Sequence, residues 1–96
     1  MYARYFTFKS TPDKRKAVEA LADAVSTYAK SLNGFMNITF VISDDESEYG
    51  SFSIWETKED AEKAGASLRE KVATTLERIV TAPPEVVVLE VYEPGS

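Results

Sequence analysis

Hydrophobic positions along this chain switch between a period of two and a period of about 3.6, and each switch marks the start of an element. Tyr2 to Lys9 alternates and is rich in aromatic residues, the pattern of a strand. One face carries Tyr2, Arg4, Phe6 and Phe8, and the other carries Ala3, Tyr5, Thr7 and Lys9. Ser10-Thr11-Pro12-Asp13 then predicts a helix start, with Thr11 as cap, Pro12 in the first helical position and Asp13 in the first turn. Ala17, Val18, Leu21, Ala24, Val25, Tyr28, Ala29 and Leu32 recur at helical spacing and form one wide apolar stripe. Asn33-Gly34 closes this helix, because glycine takes the left-handed conformation cheaply.

Phe35 to Ser43 returns to a period of two, with Met36, Ile38, Phe40 and Ile42 on one face and Asn37, Thr39 and Val41 on the other. A short acidic link, Asp44-Asp45-Glu46-Ser47-Glu48, leads to a third strand, Tyr49 to Glu56, as in an antiparallel hairpin. In that strand Phe52 and Ile54 oppose Tyr49, Ser51, Ser53 and Trp55. Thr57, with Asp60 three residues later, reads as a relative of the capping box, and Glu59 and Asp60 place negative charge at the positive end of a helix. The helix runs from Lys58 to about Val80, with Ala61, Ala64, Leu68, Val72, Leu76, Ile79 and Val80 inward. Gly65 weakens it unless something packs closely there. Pro83-Pro84 ends it, a valine-rich strand spans Glu85 to Glu93, and Glu93-Pro94-Gly95-Ser96 is a loose tail.

The order strand-helix-strand-strand-helix-strand predicts an α+β, ferredoxin-like βαββαβ fold, a four-stranded antiparallel sheet with both helices on one face. Residues 1–96 are expected to form one domain. Two helices cover one face only. The strands nevertheless carry apolar residues on both faces, where a half-wet sheet would alternate apolar and polar. A large apolar patch on so small a chain marks an interaction surface, and a twofold homodimer with sheets face to face is the expected remedy.

Composition then narrows the chemistry. Eleven basic residues against sixteen acidic ones give a net charge of −5, which argues against nucleic acid and against anionic membrane surfaces as partners. The chain has no cysteine and no histidine, which removes thiolate and disulfide chemistry, Ser-His and Cys-His nucleophile pairs and histidine-ligated metal or haem. No run approaches membrane-spanning length and the first residues lack an apolar signal core, so a cytoplasmic location is expected. The acidic link lacks the spacing and central glycine of a calcium loop and reads as a solvated hairpin tip. No metal and no cofactor are expected.

The order of elements, the Asn33-Gly34-Phe35 turn, the segment from Ser53 through Trp55 to Ala61, and the opening Met1-Tyr2-Ala3-Arg4 and closing Glu90-Val91-Tyr92 together resemble the antibiotic-biosynthesis-monooxygenase-like family of dimeric α+β barrels, its small uncharacterised members in particular. The resemblance spans nearly the whole chain, and its motifs mark the fold better than an activity. It implies a dimeric barrel. In some members it also implies cofactor-independent oxidation of aromatic substrates, using a tryptophan at the end of strand three and a strand-one asparagine. Trp55 matches the tryptophan, Thr7 stands at the asparagine position, and no histidine is present to match the haem-degrading branch.

Within this frame Trp55 and Tyr28 are the candidate catalytic residues, and Trp55, Tyr28, Ser53, Asn37 and Thr7 the candidate ligand-binding set. Trp55 and Tyr28 would wall an aromatic pocket, Ser51 and Ser53 are small enough to leave space beside Trp55, and Asn37 could bond a ligand carbonyl. Packing alone is the simpler role for the tyrosines, and Arg4 is expected to pair with a neighbouring carboxylate. Two functions follow: binding of a small apolar or aromatic molecule between sheet and helices, or cofactor-independent monooxygenation of a hydroquinone-like substrate. The departures from the family pattern favour binding.

Overall fold

The computed structural model describes residues 1–95; Ser96, the last residue of the expected tail, lies outside the described residues. Strands β1 (Tyr2–Lys9), β2 (Phe35–Ile42), β3 (Glu48–Trp55) and β4 (Glu85–Glu90) alternate with helices α1 (Arg15–Ala29) and α2 (Lys58–Ile79) in the βαββαβ order. The sheet order is β2-β3-β1-β4 with every neighbouring pair antiparallel, so β2 and β4 form the edges.

The register explains which side chains meet the helices. Tyr2, Arg4, Phe6 and Phe8 lie opposite Trp55, Ser53, Ser51 and Tyr49, and these rows face α1 and α2. Trp55, Ala29, Ala61 and Ala64 form one buried cluster, joined by Tyr2, Leu32, Phe35, Ile38 and Val88. Phe8, Val18, Tyr49, Val72, Leu76 and Ile79 form a second, nearer the other end of the helices. Ala, Leu and Val at i, i+3 and i+4 on α2 are what let one helix serve both clusters.

Local chemistry sets the joints. The Thr57 side chain accepts a hydrogen bond from the Asp60 N–H at 3.0 Å, so the expected cap forms. Gly34 has φ +79, and its carbonyl accepts from Glu56 N–H at 2.9 Å, tying the α1–β2 turn to the end of β3. At the hairpin, Asp45 Oδ1 accepts from the hydroxyls of Ser47 (2.6 Å) and Ser43 (2.9 Å). Those two bonds, that from Ser47 first, hold the Asp45 carboxyl below its ordinary range. Glu46, at φ 57, reaches back to Arg15 at 2.8 Å, so part of the acidic link is a structural clasp. The Ser10 hydroxyl donates to the Ile79 carbonyl and Thr81 N–H donates to Lys9 O, fastening the end of β1 to the end of α2.

Four expectations need correction. Pro12–Lys14 is a 3-10 turn, and Thr11 gives it no side-chain cap; α1 begins only at Arg15 and ends at Ala29. The apolar stripe of α1 is narrower than its spacing suggests, because Ala17 and Ala24 are exposed. Strand β2 carries a bulge between Phe35 and Asn37, so Phe35 joins Ile38, Phe40 and Ile42 on the helix side and Met36 is left 48% exposed. Strand β4 stops at Glu90, three residues early, and Tyr92 is exposed.

Candidate functional site

Between the helix-facing side of the sheet and the two helices lies a cavity of about 490 Å³. That is within the size range of small-molecule sites. Phe6, Phe8, Phe40 and Ile42 form its floor, Val18, Leu21 and Val25 of α1 one wall, and Leu68, Val72 and Leu76 of α2 the other. Its lining is overwhelmingly apolar, and the polar groups within it are few and specific.

The charged one among the buried groups is Arg4, only 7% exposed. Alternation along β1 puts this arginine on the same face as three aromatic residues, and its Cζ lies 5.4 Å from the Phe6 ring centre. Gly65 makes the room: a Cβ there would sit 2.8 Å from Arg4 Nε. Among the described residues no carboxylate comes within ion-pair distance of this guanidinium, so the expected pairing of Arg4 is corrected. Its pKa is lowered, first by burial and then by repulsion from Arg69, which borders the same cavity. Arginine is nevertheless a cation at any physiological pH. A buried charge without a partner costs several kcal/mol.

The second polar group is Tyr49, 2% exposed and stacked on Phe8 with ring centres 5.6 Å apart. Its hydroxyl is buried and, among the described residues, has no hydrogen-bond partner. Burial raises the phenol's pKa, and the nearby Glu46 raises it further, so it stays protonated and able to donate. Ser51, 8% exposed, lies on the floor between Arg4 and Tyr49.

The five residues singled out from the sequence fall in different places, and none of them lines this cavity. Trp55 is completely buried in the other cluster, edge-on to Phe35, and its Nε1–H donates to Ser53 Oγ at 2.8 Å. Ser53 Oγ in turn donates to the Arg4 carbonyl at 3.3 Å. These two residues are thus brought together, and they act on the site from behind by fixing the backbone of Arg4. Tyr28 is half-buried, with Lys71 Nζ 5.1 Å from its ring centre across the helix pair. Asn37 is exposed opposite Ile54, on the face away from the helices. Thr7 is on that face too, in a shallow groove with Tyr5, Glu48, Glu85 and Val87. Sequence reasoning underrated Arg4 and Tyr49. An inward-facing arginine matched by an inward-facing glycine on α2 was the available signal for the first; nothing in the pattern distinguishes Tyr49 from a packing aromatic.

A four-stranded antiparallel sheet backed by two helices, with a ligand-sized cavity between the layers, places the chain in the ferredoxin-like α+β class. More narrowly, it has the fold of the antibiotic-biosynthesis-monooxygenase-like proteins. Rv0793 from Mycobacterium tuberculosis superposes with a TM-score of 0.81 at 24% identity, over 99% of this chain and 98% of that one. ActVA-Orf6, a monooxygenase of Streptomyces coelicolor solved with the ligand nanaomycin D, gives 0.72 at 22% identity over 96% and 88%. SnoaB, a cofactor-independent oxygenase from Streptomyces nogalater, gives 0.78 at 15% over 98% and 95%. Neither a protein-family model nor a curated protein matches the chain by sequence.

Proposed function

We propose that this protein binds a small apolar or aromatic molecule in the cavity between sheet and helices, and that it does so as a homodimer. The observation that carries the first half is the cavity itself: about 490 Å³ of space walled by aliphatic and aromatic side chains. Supporting the second half is the sheet face away from the helices, where Tyr5, Phe52, Val41, Val87 and Leu89 are each between 37% and 48% exposed. A second copy laid on that face would give the closed barrel. The cytoplasm is the location this reading assumes, and cell fractionation tests it.

Binding of the neutral fluorophore N-phenylnaphthylamine tests the cavity. Ala22 borders it from α1, so Ala22→Trp obstructs it and is expected to weaken the fluorescence increase sharply while leaving cooperative unfolding intact. An unchanged titration with the obstructed variant would refute the site.

One observation favours a second reading. Two proteins of the same fold, ActVA-Orf6 and SnoaB, are a monooxygenase and a cofactor-independent oxygenase. On this reading a hydroquinone-like substrate would itself reduce oxygen, and the chain would supply a dry, oriented pocket. Oxygen uptake across a panel of hydroquinones decides between binding alone and turnover.

A further inference from the structure

We propose that the molecule taken by this cavity is an acid: a flat apolar body bearing one anionic oxygen group, carboxylate or phenolate, seated on the buried guanidinium of Arg4. The inference rests on the cavity being a ligand site and adds the ligand's charge. Arg4 is more than nine-tenths buried, borders the cavity and has no carboxylate within 4.0 Å among the described residues. A planar guanidinium presents a fork of donors matched to two anionic oxygens. Arg69 borders the same space and repels Arg4, so the chain sets two like charges beside the cavity that an anion would reconcile.

The remaining charges fix where the anion goes. Glu77 and Glu85 are exposed and border the cavity, while Glu19 is engaged with Arg15 at 2.9 Å. An anion near these acids is repelled, which leaves the Arg4 end as the place for it. Tyr49 lies opposite Phe8, four residues along β1 from Arg4, a separation of about 13 Å along the strand. The Tyr49 ring, stacked on Phe8, therefore borders the far end of the cavity, where the flat apolar body of the ligand lies.

Calorimetric titration of naphthoate against its neutral analogue naphthylmethanol reads the charge preference directly. The carboxylate is expected to bind about tenfold tighter or more, the scale of a hydrogen bond to a charged group. Arg4→Met should bring the two affinities together, and Arg4→Lys should retain part of the difference. If Arg4→Met does not fold, as judged by circular dichroism, the exposed Arg69→Gln takes its place and should shrink the ratio several-fold. Equal binding of acid and alcohol by the unaltered protein overturns the acid assignment and leaves the cavity reading standing. So does a preference that survives these substitutions undiminished. Binding of neither probe overturns both.

Discussion

At the scale of single residues, the site shares its walls with the core but carries polar groups that packing does not require. Tyr49 offers the clearest test, because its ring packs on Phe8 while its hydroxyl is buried with no hydrogen-bond partner among the described residues. Removing a buried unsatisfied hydroxyl relieves its desolvation and leaves the packing in place. Tyr49→Phe is accordingly expected to raise the free energy of unfolding by about 1 kcal/mol, measured by urea denaturation. A loss of stability would show that the hydroxyl has a structural partner. Trp55 is the opposite case. Its indole is fully enclosed and its N–H engaged, so burial of that ring contributes roughly 3 kcal/mol to the fold. The sequence drew attention to Trp55 because a single tryptophan at a sheet–helix junction is conspicuous. It gave no comparable prominence to Arg4, since whether a buried cation has a partner depends on which carboxylates the tertiary fold brings near it.

Among elements, α2 carries the tension between stability and site. Gly65 sits within its buried stripe, where glycine costs about 1 kcal/mol relative to alanine. Gly65→Ala would recover that propensity but place a methyl group 2.8 Å from Arg4 Nε, so the end of the arginine must swing aside into the cavity it borders. The substitution is expected to leave stability nearly unchanged on its own and to stabilise by about 1 kcal/mol in an Arg4→Met background, a coupling that a double-mutant cycle in denaturant would measure. Strand faces were legible in advance because a period of two dictates them: β1 and β3 present the residues that their alternation assigns. The helix cap at Thr57 was legible too, being a matter of four adjacent residues. The bulge that expels Met36 was not, since it arises from how β2 pairs with β3 and leaves no local mark. The same holds for the exposure of Ala17 and Ala24, which depends on how far α1 leans over the sheet.

For the molecule as a whole, the helices cover one side of the sheet and leave Tyr5, Phe52, Val87 and Leu89 on the other. Tyr5 and Phe52 lie against each other there, ring centres 6.0 Å apart, forming a small aromatic plateau. An isologous dimer of ordinary size buries about 1,600 Å² in total, which such a face could supply. Sedimentation equilibrium at micromolar concentration is expected to return twice the 10.7 kDa chain mass, and Phe52→Glu to return the single-chain value. A monomer before substitution would end the barrel. Strand β4 bears on how such association stays finite. It lies at the border of the sheet with Val86, Val87 and Leu89 each more than 40% exposed, the kind of sticky fringe along which proteins polymerise. A glutamate closes each end of it, Glu85 and Glu90. Two such fringes meeting head to tail would set acid against acid at both ends. The brackets thus discourage ribbon-like growth from the border and leave the broad face as the place where copies can join.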